Sequence, residues 1–169
     1  MSVRILTVAA LLAGVALRPA VAQGKADFSG NWKMNVEKSE PMGGGPGGGG
    51  GGGMGGMMAG AITTITQTAA KLTLETKIGD QPPRVSNYNL DGTESVNTTQ
   101  RGESKSMATW DGANLVITTE STFNGPNGPM TTTSKEVRSL SADGKTMTVT
   151  TTRTTPNGEM TTKRVYDKQ

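Results

Sequence analysis

Two arginines and a tyrosine near the end of the sequence have the chemistry and the spacing of an anion-binding site. Arg164 and Tyr166 alternate with Met160 and Thr162, and Arg153 lies in the preceding segment, where it also alternates with apolar residues. Alternate residues of a strand share a face, so these side chains are predicted to point to an apolar interior. A guanidinium fork and a hydroxyl are the donors that a carboxylate needs. We therefore predict that Arg164, Tyr166 and Arg153 bind a ligand.

The sequence contains no Cys and no His, which excludes most catalytic and zinc-binding sites. Thiol nucleophiles, Ser-His-Asp triads and the nitrogen and sulfur ligands of zinc are all missing. Glu75 and Glu120 fall on the polar sides of their segments, whereas Glu136 alternates with Arg138, either as an internal ion pair or at a rim. None of these carboxylates forms a recognisable acid–base pair. The protein is therefore predicted not to be an enzyme and to need no cofactor.

Residues 41–60 consist of Gly and Met with two Pro and one Ala. This composition offers too little side chain to offset the entropy of ordering, so we predict a flexible loop. Methionine thioethers bind Cu(I), which would give Met42, Met54, Met57 and Met58 a role, but soft-metal sites need several convergent ligands. Incidental methionines are the preferred interpretation, and no metal site is predicted. The loop lacks the Gly-Lys-Ser/Thr ending of a phosphate loop.

The first 22 residues have the three zones of a cleavable signal peptide. Arg4 precedes an apolar run over 5–17, and Ala20-Val21-Ala22 is a small-x-small cleavage signal. The apolar run is shorter than the roughly 20 residues needed to span a bilayer, so no integral membrane segment is predicted after cleavage. We expect residues 23–169 to form a single domain that is periplasmic or secreted.

The mature chain would carry almost no net charge. Cleavage removes Arg4 and Arg18, the only charged residues of the signal peptide, and lowers the formal net charge from +3 to +1. No cluster of Lys and Arg lies beside aromatic residues in the way that proteins use to follow a phosphate backbone. Nucleic acid is therefore not expected as a partner, and we expect a monomer.

Short segments of period two, rich in Thr, Val and Ile, fill the rest of the sequence and predict an all-β fold. We predict strands at 27–38, 62–68, 71–78, 84–90, 93–99, 104–110, 114–123, 130–140, 145–155 and 159–168. Between them stand pairs that supply a positive φ in tight hairpins, namely Asp91-Gly92, Asp111-Gly112, Asn127-Gly128, Asp143-Gly144 and Asn157-Gly158. Sequential hairpins make an antiparallel up-and-down meander of about 8–10 strands.

A meander of this length has two exposed edges unless it closes on itself. Closure is the usual solution of up-and-down β proteins, so we predict a barrel. The alternative is an open or sandwiched sheet whose edges are protected by Lys77, Lys135 and Lys163.

The two ends of the predicted meander resemble a known superfamily. Phe28-Ser29-Gly30-Asn31-Trp32-Lys33 is similar to the Gly-x-Trp opening of lipocalins and fatty-acid-binding proteins, and the pattern through Ser39 resembles small exported bacterial lipocalin-like proteins. Lys163-Arg164-Val165-Tyr166-Asp167-Lys168 resembles the Arg-x-Tyr-x-Lys closing strand of fatty-acid-binding proteins. Trp110-Asp111-Gly112 is similar to a turn late in that barrel.

This resemblance implies a calycin-type, lipocalin-like barrel in which Gly30 and Trp32 are structural. It also gives Arg164 an alternative role, stacking on Trp32 to plug one end of the barrel. The helical lid that fatty-acid-binding proteins insert after the first strand is replaced by the 41–60 segment.

Taken together, these features predict an exported, non-catalytic, lipocalin-like binding protein for a small amphipathic or hydrophobic molecule. The alternative is a structural or protein-interaction barrel that is filled by its own side chains and holds no small ligand.

Overall fold

The computed structural model describes residues 24–40, 60–99, 102–125, 128–155 and 158–169. These residues form ten strands: β1 (Gly30–Asn35), β2 (Ile62–Gln67), β3 (Lys71–Lys77), β4 (Arg84–Asn89), β5 (Glu94–Thr99), β6 (Gly102–Asp111), β7 (Asn114–Gly125), β8 (Gly128–Leu140), β9 (Thr146–Thr155) and β10 (Gly158–Lys168). No helix occurs in the described ranges, and therefore none that could cross a membrane. The predicted signal peptide and all but the last residue of the predicted 41–60 loop lie outside them.

All ten strands belong to one antiparallel sheet in the order β4-β3-β2-β1-β10-β9-β8-β7-β6-β5. Every neighbouring pair is successive along the chain except β1 and β10, which pair with Trp32 opposite Lys168 and Met34 opposite Tyr166. The sheet curls into a nearly closed barrel. The predicted all-β meander and its closure into a barrel are therefore confirmed.

Strands β4 and β5 lie at the two ends of this order. They are joined by side-chain hydrogen bonds and not by a ladder of backbone hydrogen bonds. The Asn87 backbone N–H donates to Asn97 Oδ1 at 2.8 Å, and Asn97 Nδ2 donates back to the Asn87 carbonyl at 3.0 Å. Nearby, the Asn89 N–H donates to Ser95 Oγ at 2.7 Å, and Asn89 Nδ2 donates to the Glu94 carbonyl. We call these four bonds the β4–β5 seam.

The turns lie at the predicted Asp-Gly and Asn-Gly pairs. Gly92, Gly112, Gly128, Gly144 and Gly158 all have positive φ, as their Asp-Gly and Asn-Gly pairs predict. At Gly112, which has a φ of 59°, the two-residue loop between Asp111 and Asn114 has its glycine at the first central position, the arrangement of a type II′ hairpin. The first strand is shorter than predicted, because backbone pairing begins at Gly30 rather than at residue 27.

Phe28 and Trp32 pack one end of the barrel. Both are fully buried, and the Trp32 indole Nε1 donates to the Phe28 carbonyl at 2.8 Å. Phe28 also stacks on Trp110, with ring centroids 6.2 Å apart. We call this the packed end, where the turns β2–β3, β4–β5, β6–β7 and β8–β9 lie. The opposite end, with the other connections, is called the loop end.

Gly30 and Lys168 explain the Gly-x-Trp spacing. Lys168 Nζ lies 5.3 Å from the centre of the Trp32 ring, a cation–π contact. The Lys168 stem reaches that position by crossing Gly30, where a Cβ would lie 2.6 Å from Lys168 Cε. Gly30 also has a φ of 134°, a conformation that side chains other than glycine rarely adopt. The cation that covers Trp32 is thus Lys168 and not Arg164, which corrects the predicted plug.

Candidate functional site

Strand β8 carries two charged side chains into the interior of the barrel. Arg138 lies in register with Leu115 of β7 and Val149 of β9, and both of these are core residues. Glu136, two residues away on the same face, lies opposite Ile117 of the core. Cross-strand neighbours share a face of the sheet, so both charges point inward.

Arg138 is almost completely buried, with 6% of its surface exposed. Its Nε donates to Glu136 Oε1, and the two side chains form an ion pair. Burial disfavours the charged guanidinium, but the Glu136 carboxylate and the nearby phenol groups leave the pKa of Arg138 raised. Glu136 is the only partner of this side chain among the described residues, and the terminal N–H groups have no acceptor in that part of the chain.

Two tyrosines, Tyr88 and Tyr166, lie near this ion pair. Tyr88 lies opposite Leu72 on the inner face of β4, and burial together with the negative charge of Glu136 raises its pKa. Tyr166 lies opposite Met147 and Met34, close enough to Arg138 to affect its pKa. We call Glu136, Arg138, Tyr88 and Tyr166 the central cluster.

Arg164 extends the positive charge of this cluster. It pairs with Val149, which on its other side pairs with Arg138. Adjacent strands are about 4.8 Å apart, so the two arginine backbones lie roughly 10 Å apart. Arg164 is half-buried, and it has no hydrogen-bond or ion-pair partner within the described part of the chain.

Arg153 lies away from the other predicted site residues. It faces inward, in register with Ser134 and Met160, but it is four residues farther along β9 than Val149, or roughly 13 Å towards the loop end. Its side chain is exposed. The structure thus brings Tyr166 next to Arg138 and places Arg164 in the same row, whereas Arg153 lies at the rim.

Sequence reasoning did not select Arg138 or Tyr88 as site residues. Arg138 lies two residues before Leu140, which packs against the core. Because alternate residues of a strand share a face, this spacing could have shown that Arg138 points inward. Nothing in the sequence marked Tyr88, because only the tertiary fold brings β4 across the interior from β8. Among the described residues, no three His, Cys, Asp or Glu side chains form a group that could hold a metal ion.

The barrel resembles several solved structures. It superposes on zebrafish ileal bile acid-binding protein complexed with cholic acid with a TM-score of 0.54 and 15% identity, covering 84% of this chain and 98% of that one. A secretory abundant heat soluble protein of Ramazzottius varieornatus gives 0.56 and 18%, covering 88% and 98%. Protein 4 of that group gives 0.53 and 16%, covering 84% and 94%.

At these identities the similarity shows a common fold. No protein-family profile and no curated protein sequence matches this chain.

Proposed function

We propose that this protein is an exported, monomeric, non-catalytic barrel that binds a small amphipathic molecule through an anionic group. The observation that carries the proposal is the buried Arg138, which uses one of its N–H groups on Glu136. Its terminal N–H groups have no acceptor among the described residues, and they are not fully buried, so a molecule that enters the barrel can reach them. Charged donors of this kind form strong hydrogen bonds with an anionic acceptor. An anion bound at the central cluster would supply that acceptor.

The charges favour a single negative group. Glu136 neutralises Arg138. Among the described residues around this pair, Arg164 is then the cation without an ion-pair partner. A carboxylate placed between the two arginines would accept charge-assisted hydrogen bonds from both. The phenol groups of Tyr88 and Tyr166 offer further neutral donors.

Two further observations support the proposal. The zebrafish protein of the same fold holds cholic acid, so such a barrel has room for an anionic amphipath. The signal-peptide pattern of residues 1–22 supports export to the periplasm or beyond, and the mature chain lacks the basic patch of a nucleic-acid-binding protein.

Titration with matched probes tests the proposal. Wild-type protein is titrated calorimetrically with cholate and dodecanoate and with their neutral methyl esters, all below their micellar concentrations. We expect a preference of tenfold or more for at least one acid over its ester, since hydrogen bonds to charged groups are worth about 1.5–3 kcal/mol. Native mass spectrometry of protein purified from the periplasm adds an unbiased measurement.

Substitutions test which residues bind the anionic group of the ligand. The pair R138M/E136Q removes the guanidinium without leaving a buried carboxylate unpaired, and R164M removes the second cation. Each is expected to lose tenfold or more in affinity for the acid, whereas R153M, at the rim, should bind as the wild type does. No affinity for any probe together with no co-purified molecule, or equal affinity for acids and esters, would overturn the proposal in favour of a self-filled structural barrel.

A further inference from the structure

The inward-facing residues change character along almost every strand. Near the packed end they are mostly apolar, farther towards the loop end they become hydroxyl-bearing, and Met130 and Met160 follow at the rim. The change runs from Ile65 to Thr63, Leu74 to Thr76, Tyr88 to Ser86, Ala108 to Ser106 and Ser104, Ile117 to Thr119 and Ser121, Glu136 to Ser134 and Thr132, Val149 to Thr151, and Arg164 to Thr162. We call the second set the hydroxyl lining.

The register and the burial show that this lining faces the interior. Three of its members, Ser106, Thr119 and Ser134, form one row with Ser95 of β5, and Ser106 is buried, at 2% exposed. Ser106 and Thr119 share a hydrogen bond of 2.8 Å. Most of the lining is only half-buried, so solvent reaches this half of the barrel.

A molecule bound at the central cluster must extend towards this lining. On the packed side of the cluster, Trp32, Leu115 and Met147 are 0–1% exposed, and a close-packed core leaves no room for a ligand without costly rearrangement. The body of the ligand therefore lies in the half of the barrel that carries the hydroxyl groups.

We infer that the ligand is an amphipathic anion whose body carries several hydroxyl groups, such as a hydroxylated polycyclic acid, and not a fatty acid. This inference rests on the proposed anion site and adds the chemistry of the rest of the molecule. An alkyl chain would take water from the serine and threonine hydroxyls without replacing their hydrogen bonds, which is unfavourable. A hydroxylated body replaces those bonds, and a site built in this way rejects analogues that lack the hydroxyl.

Cholate and lithocholate separate this inference from the proposed function. Both have the same ring skeleton and the same carboxylate, but cholate carries three ring hydroxyls and lithocholate carries one. Hydrophobic burial alone favours lithocholate, because it has more apolar surface. We expect the opposite order, with cholate binding at least threefold more tightly in calorimetric titrations below the micellar concentrations, and dodecanoate binding most weakly.

Variants of the lining test the cause. T119V and S134A remove inward hydroxyls, and each is expected to reduce the ratio of cholate to lithocholate affinity by threefold or more. The matched control is T118V, one residue away on the exposed outer face of β7, which should leave the ratio unchanged. Melting curves of each variant show that the barrel remains folded.

The outcomes are distinct. Tight binding of lithocholate or dodecanoate with equal or weaker binding of cholate overturns the hydroxylated-body inference and leaves the anion site standing. A preference for cholate that survives in T119V and S134A also overturns the assignment to the lining. Absence of binding to every acid, together with no molecule co-purified from the periplasm, overturns the proposed function and this inference with it.

Discussion

The packed end and the loop end of the interior are built from the same strands and differ in what their side chains do. On β7, Leu115 and Ile117 are buried in the core, whereas Thr119 and Ser121, on the same face, are half-buried hydroxyls. One strand is thus core for half of its length and lining for the other half. Stability should therefore depend on the packed end, and ligand selection on the loop end.

The largest expected effect comes from breaking the packed end. W32A removes a fully buried ring together with its hydrogen bond to Phe28, and it should lower the free energy of unfolding by about 3–5 kcal/mol. M160A, at the rim of the loop end where Met160 is 45% exposed, should change it by less than about 0.5 kcal/mol. Urea denaturation measures both, and similar losses in the two variants would contradict the division of roles.

The next largest effect on the free energy of unfolding is expected at the Arg138–Glu136 ion pair, which lies between the packed end and the hydroxyl lining. R138M leaves Glu136 without its partner and should cost about 3 kcal/mol, towards the lower end of the range for broken buried pairs because Glu136 keeps some contact with solvent. R138M/E136Q removes both charges and should recover more than half of that loss. If the double variant were the less stable of the two, the unpaired Glu136 carboxylate would not be the cause of the loss in R138M.

A smaller effect is expected at the β4–β5 seam. N97A removes both side-chain bonds to Asn87 and should lower stability by about 1–2 kcal/mol. Faster amide hydrogen exchange is expected in β4 and β5, with little change at the packed end. T98A, on an exposed position of the same strand, is the control, and equal exchange in both variants would show that the seam does not depend on Asn97.

The smallest effect is the titration of Tyr88. Burial and the Glu136 charge raise its pKa above 10.0, so the neutral phenol is favoured in the folded state. The stability that this shift contributes is present below pH 10 and is lost as the pH rises through the folded pKa. The difference in absorbance near 295 nm between wild type and Y88F gives the midpoint. A midpoint at or below pH 10 would show that the phenol is solvated.

The strands and the turns could be predicted from the sequence because they depend on local signals, whereas the closure of the sheet was predicted from the need to protect its two edges. Period-two patterns and Asp-Gly or Asn-Gly pairs mark the strands and the turns directly, and the predicted strand boundaries agree with the structure to within a few residues from Ile62 onwards. The first strand was predicted to begin too early. Phe28 continues the apolar–polar alternation of β1, but it lies before the first backbone-paired residue and packs in the packed end.

The site could be predicted only in part, because alternation gives the face of a strand but not the depth along it. Arg153 faces inward as predicted, yet it lies at the rim, while Arg138 on the neighbouring strand is buried. The same limit applies to Trp32, whose cation is Lys168 and not Arg164. Depth depends on the stagger between strands, and that is set by pairings such as the one between β1 and β10.

The pairing of β1 with β10 also orders the events of folding. Each of the other backbone pairings joins strands that are successive in sequence, so the β1–β4 and β5–β10 meanders have low contact order and can form early. The bond from Asn35 to Asp167 spans 132 residues, and its loop-closure entropy must be overcome before the two meanders dock. The rate-limiting step should therefore be their docking at β1–β10, with the β4–β5 seam closing as the second half of the same event.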